Sequence, residues 1–174
     1  KKVGADYFNP GWTDYRYRLM YNTFDITKLL QPGENGIGVM LGAGWWSEHN
    51  GFMTDWQDQY GTRQSVMGKI VVNYTDGSSE TIVTNDGWKC YDRGPITFNG
   101  LQNGEEYDAR KEVKGWNEAG FNDSNWKQAA LFLATPVHVK LQAYVGNPVR
   151  STVQLTAQSV AEPLPGIYVY DMGQ

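Results

Sequence analysis

Hydrophobic and polar positions alternate with a period of two along much of this chain. In "YRYRLMYNTF", Tyr15, Tyr17, Leu19 and Tyr21 fall on one side, and Arg16, Arg18, Met20 and Asn22 on the other. That pattern predicts a half-buried strand. "DITKLL" follows, where Asp25 can cap the free amides of a short helical turn and Leu29 and Leu30 can pack beneath it. "QPGENG" is turn chemistry, and "GIGVML" predicts the next strand, with Ile37, Val39 and Leu41 on one face.

The clearest hairpin is "MGKIVVNYTDGSSETIVTNDGWK". Ile70, Val72 and Tyr74 alternate, Asp76-Gly77 turns the chain, and Ile82 and Trp88 lie on the return. "TPVHVKLQAYV" alternates again, placing Val137, Val139, Leu141, Ala143 and Val145 inward. "PVRSTVQLTAQSV" and "GIYVYDMGQ" predict two more strands, with "EPLPG" as a proline-rich joint between them. The opening "KKVGADYF" reads as the second half of a hairpin, which marks the chain as a piece of something longer. No segment sustains a helical period. Many short strands separated by turns predict an all-β, antiparallel sandwich with short helical turns, of jelly-roll or galactose-binding-like form.

Composition narrows the function classes. The 174 residues suit one domain, with aromatics at 14% and 20 glycines supplying rings and turns. A net charge of −4 without basic blocks argues against nucleic acid and anionic membrane as partners. No apolar run approaches the roughly 18 residues of a membrane helix. A single cysteine, Cys90, precludes an internal disulfide, and its place two after Trp88 predicts a half-buried strand position. With only two histidines, a Cys/His zinc site has no support.

The chemistry concentrates at "GAGWWSEHNG", residues 42–51. A strand continuing through Trp45 and Trp46 sends their rings to opposite faces. Counting in twos from Ile37 turns Trp45 inward and leaves Trp46 free, with Trp56 as its companion. A free ring can take the C–H face of a sugar while Glu48 and Asn50 take its hydroxyls. The same rings can instead fold back on the sandwich or dock against a neighbouring domain. Tyr107, Asp108 and Arg110 in "EEYDAR" form a second candidate: on a strand, Asp108 and Arg110 share a face and can hold a sugar rim or pair locally. Catalytic pairs are another matter. Glu105 and Glu106 are adjacent and diverge on a strand, and no G-x-S-x-G elbow or nucleotide loop is present.

Several segments in consistent order carry a family resemblance. "PGWTDYRYRLMYNTFDITKLLQPGENGIGVMLGAGWW", "YTDGSSETIVTNDGWK", "GPITFNG", "GEEYDAR" and "GWNEAGFNDSNW" resemble the N-terminal domain of bacterial α-L-rhamnosidases of glycoside hydrolase family 78, and "PLPGIYVYDMGQ" resembles the entry into their following β-sandwich. The resemblance implies an accessory β-sandwich over residues 1–146, with 147–174 as return strands or entry into the next domain. It implies a parent enzyme that removes terminal α-L-rhamnose with inversion, its catalytic carboxylates lying in a helical barrel of the same polypeptide. A rhamnose-containing carbohydrate and that catalytic domain are the implied partners. Some relatives bind rhamnose with calcium, using an acidic or amide side chain near the start of the tryptophan loop. Ala43 and Gly44 stand there in this chain, a departure that puts the calcium-assisted site in doubt, so no cofactor is expected beyond that doubtful calcium.

Overall fold

The computed structural model describes residues 1–48, 57–131 and 138–173. Among these the chain is all-β with short helical turns, as the alternation predicts. Its strands are β1 (Arg18–Tyr21), β2 (Lys69–Asn73), β3 (Ser79–Val83), β4 (Lys89–Cys90), β5 (Ile96–Gly100), β6 (Gly104–Tyr107), β7 (Lys127–Gln128), β8 (Lys140–Ala143), β9 (Ser159–Leu164) and β10 (Ile167–Asp171). One α-helical turn, α1 (Gly44–Ser47), and 3-10 turns at Thr27–Leu29 and Ala109–Lys111 interrupt them.

The strands pair as five two-stranded ribbons. Four are antiparallel: β2 with β3, β4 with β7, β5 with β6, and β9 with β10. The fifth departs from the expected pattern, because β1 and β8 run parallel, Arg18 beside Lys140 and Met20 beside Gln142. A parallel pair needs a long crossover, and here everything between Tyr21 and Lys140 supplies it.

The β2–β3 hairpin forms as its sequence predicts. Ile70 sits opposite Ile82. Gly77 takes φ +87°, a region open to glycine, and the Asp76 carboxylate accepts from both the backbone N–H and the hydroxyl of Ser78. Those hydrogen bonds hold the Asp76 carboxyl below the usual carboxylate range. Asp25 likewise accepts from the Thr27 amide at 2.9 Å, opening the first 3-10 turn.

Elsewhere the pattern misleads. "GIGVML" joins no strand. Close approach fixes it instead: a Cβ on Gly38 would lie 2.2 Å from the Trp116 ring, and one on Gly36 would lie 2.9 Å from the Glu118 backbone. "EPLPG" joins two strands as expected, but its first three residues are themselves strand. Pro163 and Leu164 end β9, and Gly166, at φ +80°, turns the chain into β10 while its N–H donates to Glu162. Of "PVRSTVQLTAQSV", only Val149 pairs before β9 begins, in a lone bridge with Tyr7 beside the Asp6–Arg150 ion pair. Cys90 lies on β4 but is exposed rather than half-buried.

The facing of β1 and β8 also differs from expectation. Leu19 and Met20 are half-buried while Tyr17 and Tyr21 are exposed. Along β8 and the two residues after it, Gln142 and Tyr144 are half-buried whereas Leu141 and Val145 are exposed, Val145 at 77%. Val137 lies outside the described residues. A two-stranded ribbon has no second layer dictating which face turns inward, so alternation alone does not decide it.

The shielded interior is correspondingly small. Tyr15 (9% exposed) and Glu48 (3%) are the buried residues among those described. The chain exposes 14472 Å², where a compact domain of this length would expose about 8,600 Å². Tyr15 sits just before β1, its hydroxyl donating to the Gly11 carbonyl at 2.6 Å. Its ring packs 4.7 Å from that of Tyr60 and 5.9 Å from that of Trp46, centre to centre.

Burial, with a smaller contribution from Tyr60, pushes the Tyr15 hydroxyl up to about 12. A phenol whose proton is held more tightly when folded stabilises the fold below the unfolded pKa of about 10 and loses that advantage as pH rises towards 12. Alkaline unfolding is therefore expected to steepen by about 1.4 kcal/mol per pH unit between roughly pH 10 and 12. Urea titrations of the wild type and Tyr15→Phe across this range check it. The extra slope disappears in the variant.

Candidate functional site

The tryptophan stretch is not a strand. Residues Gly44–Ser47 close a single turn of α-helix, α1, which Gly44 enters at φ +45°. Ser47 and Glu48 donate their amides to Ala43 and Gly44. Helical turning abolishes the inward-outward alternation on which the reading of Trp45 and Trp46 rested. Both rings are half-buried. Trp45 stacks on Trp12, centroids 4.6 Å apart and planes within 10°. Trp46, expected to be the free ring, packs against Tyr15 and Tyr60, and its buried indole nitrogen has no hydrogen-bond partner among the described residues.

Long-range polar contacts hold this turn. The Asn99 side chain accepts from the Ala43 amide at 2.9 Å. Gln64 donates to the Ser47 hydroxyl at 2.6 Å, and Tyr60 donates its amide to the Trp46 carbonyl at 3.2 Å. The firmest attachment is Glu48. One carboxylate oxygen accepts from the Leu101 amide at 2.5 Å and the other from the Gln102 amide at 3.1 Å. Both amides belong to the turn joining β5 to β6. Gly100 permits the approach, since a Cβ there would lie 2.3 Å from a Glu48 oxygen. Charge-assisted bonds of this kind are about twice as strong as neutral ones.

The sequence-derived candidates therefore separate. Trp46 and Glu48 sit together but face the interior. Asn50 and Trp56 lie outside the described residues. Tyr107 ends β6, and its hydroxyl donates to Glu112 at 2.5 Å, which raises its pKa. Asp108 and Arg110 lie in the 3-10 turn region rather than along one strand. They form a local forked pair, Nε and Nη2 of Arg110 reaching the two carboxylate oxygens at 2.8 and 2.9 Å. The guanidinium holds the Asp108 carboxyl below its ordinary range. Sequence reasoning missed Tyr15, Tyr60, Gln64 and Asn99 as partners of the tryptophan turn. Asn99 lies 56 positions from Ala43, and no local spacing announces such a contact.

At the start of the loop that the resemblance associates with calcium, the described residues Ala43, Gly44 and Glu48 offer the ion no free side-chain oxygen; residues 49–56 lie outside the described residues. Ala43 and Gly44 bring no side-chain oxygen, and both Glu48 oxygens are committed to backbone amides. No group of three or more His, Cys, Asp or Glu gathers among the described residues.

Two open cavities flank the β1–β8 ribbon. One, of about 330 Å³, is bounded by Asp6, Asn22 and Tyr144. The other, of about 310 Å³, lies between Trp12, Arg18, Met20 and Gln142. Neither contains the sequence-derived candidates.

Removing the Glu48 carboxylate takes the acceptor from two backbone amides of the β5–β6 turn. Glu48→Ala is expected to lower stability by about 3 kcal/mol, read from the urea midpoint. Glu48→Gln, which keeps one acceptor oxygen, is expected to lose less.

The comparisons with known proteins agree with this architecture. Residues 1–153 match the family model for the alpha-L-rhamnosidase N-terminal domain. An alpha-L-rhamnosidase of Streptomyces avermitilis is 40% identical over 174 residues, covering 100% of this chain and 16% of the relative. One from Formosa agariphila is 34% identical over 91% of this chain and 17% of its own length. Among solved structures, the Streptomyces avermitilis enzyme complexed with L-rhamnose superposes with a TM-score of 0.78 at 37% identity, over 99% of this chain and 16% of that one. The native enzyme of Aspergillus terreus gives 0.76 at 33% identity, over 99% of this chain and 20% of that one. The chain spans under a fifth of the curated relatives it matches. By sequence and by fold, it belongs to the family of α-L-rhamnosidase N-terminal domains.

Proposed function

We propose that this chain is a non-catalytic accessory domain of an α-L-rhamnosidase. On this reading the whole polypeptide removes terminal α-L-rhamnose from glycans or glycosides by inversion, with the reacting carboxylates in a separate catalytic domain. Residues 1–146 form the accessory module, and 147–174 carry return strands or the entry to the next β-sandwich.

The observation that carries the proposal is the state of the carboxylates. A glycosidase's general acid needs a pKa raised towards neutrality and a partner carboxyl across the scissile bond. Here several described aspartates are held by local partners that shift them the other way. Hydrogen bonding lowers Asp14 through Arg16, Asp25 through Thr27, Asp92 through Lys127 and Asp108 through Arg110. Asp123 pairs with Lys89, and Glu48 is occupied by backbone amides. These are structural assignments, each fixing a turn or a ribbon edge.

The open apolar faces support a bracing role. Ile37, Val39, Leu41, Leu141 and Val145 all remain exposed. Exposed aliphatic faces on this scale are interaction surfaces, and the partner of matching chemistry is the catalytic domain of the same polypeptide.

Incubated with an aryl α-L-rhamnoside, this chain is expected to release no aryl alcohol above the protein-free rate. Release that scales with protein concentration and survives repurification overturns the non-catalytic assignment.

A further inference from the structure

The turn that clasps Glu48 carries a reactive dipeptide. Asn103 is followed by Gly104, and the pair closes the loop between β5 and β6. An asparagine before glycine can modify itself. The backbone nitrogen of the glycine attacks the side-chain carbonyl carbon of the asparagine, and no side chain on the glycine obstructs it. Among the described residues the chain holds three such pairs, Asn35–Gly36, Asn99–Gly100 and Asn103–Gly104. Asn50–Gly51 lies outside them.

The fold treats the three differently. Ring closure needs the asparagine side chain to swing over its own backbone and the following peptide to turn with it. At Asn35 the side chain accepts from the Gln31 amide at 2.9 Å and donates to the carbonyls of Gln31 and Gly33 at 2.8 and 3.0 Å. Gly36 is pinned as well, since a Cβ there would lie 2.9 Å from the Glu118 backbone. Asn99 is half-buried on β5 and holds the Ala43 amide, and Gly100 stands against the Glu48 carboxylate. Asn103, by contrast, is exposed in the turn. Gly104, at φ +85°, has open space where a Cβ would stand. Of the three peptides, this one has room to turn without displacing a packed neighbour.

We propose that Asn103–Gly104 is a site of spontaneous covalent modification, and that the change loosens the Glu48 clasp. The Gly104 nitrogen bonds to Cγ of Asn103 and closes a five-membered imide. The bond from Cγ to the side-chain nitrogen breaks, and that nitrogen leaves as ammonia, carrying the proton lost by the Gly104 amide. Water then opens the ring. Addition at Cγ gives aspartate. Addition at the backbone carbonyl gives isoaspartate, in which the main chain runs through Cβ and gains a methylene. Either product puts a carboxylate in the same turn whose Leu101 and Gln102 amides hold Glu48, and like charges repel. Isoaspartate also lengthens a short hairpin loop whose register pairs Gly100 with Gly104.

The test ages the whole chain in buffer at neutral and mildly alkaline pH and follows each asparagine by peptide mapping with mass spectrometry. Isoaspartate is identified by labelling with an isoaspartyl methyltransferase. Asn103 is expected to convert first, about tenfold faster than Asn35 or Asn99, the factor that breaking one internal hydrogen bond supplies. Conversion is faster at the higher pH, where the attacking amide loses its proton more readily. In urea the three rates are expected to converge. The urea midpoint of the aged chain is expected to fall. Asn103→Gln, whose side chain is one methylene too long for the five-membered ring, is expected to lose less on ageing. An Asn103 that stays an amide overturns the proposal, as does an Asn35 or Asn99 that converts as fast in the folded chain. The same ranking in urea also overturns it, because the selection would then not come from the fold. Equal losses of midpoint in the wild type and Asn103→Gln overturn the effect on the clasp. The mapping uses the unaltered sequence, so it decides the site whatever the variant's own stability.

Discussion

A buried carboxylate holds this fold's busiest region together. Glu48 reaches from the end of one helical turn to two backbone amides in the β5–β6 turn. Burying an anion is costly unless its oxygens are satisfied. Here both are, by donors whose direction the backbone already sets. The consequence spreads outward. With Glu48 fixed, α1 is fixed, and with α1 the placement of Trp45 and Trp46. Trp45 then supports Trp12, and Trp46 closes the cluster of Tyr15 and Tyr60. A change at residue 48 would therefore be felt at Trp12, although the two share no contact.

Beyond that cluster, the chain is a set of ribbons joined by turns. Each ribbon satisfies its own backbone hydrogen bonds, and local side chains lock the turns: Asp76 on Ser78, Asn35 on Gln31, Glu162 on Gly166. Such contacts define local shape but bury little area. Surface ion pairs such as Lys127–Asp92 and Arg16–Asp14 contribute less still, since water screens them. The larger apolar faces are left for a neighbour, which suits a domain spanning a small share of the α-L-rhamnosidases it resembles.

The polar groups divide into two populations. Two aspartates are held by an arginine two residues on, Asp14 by Arg16 and Asp108 by Arg110, each pair clasping its own loop. The Arg18 and Gln142 side chains have no such duty among the described residues, and they line the same cavity as Trp12. A group already saturated by its own loop has little left for a ligand.

Much was legible in the chain itself, and its limits have a physical cause. The all-β class, the β2–β3 hairpin with its Asp76-Gly77 turn, the Asp25 cap and the family resemblance all follow from local rules, in which a residue's partners lie within a few positions. The sequence also singled out residues 42–51 as unusual. It could not tell that Gly44–Ser47 coils into a helical turn, because what holds that turn sits on Asn99, Leu101 and Gln102, more than fifty positions away. Nor could alternation say which face of β1 or β8 turns inward, since in a lone ribbon both faces are open until something packs on one. Tertiary structure alone decided that Glu48 is buried with its oxygens on two backbone amides, and that Trp12 is more exposed than the half-buried Trp46. Such long-range contacts depend on the path of the whole backbone, which no local pattern encodes.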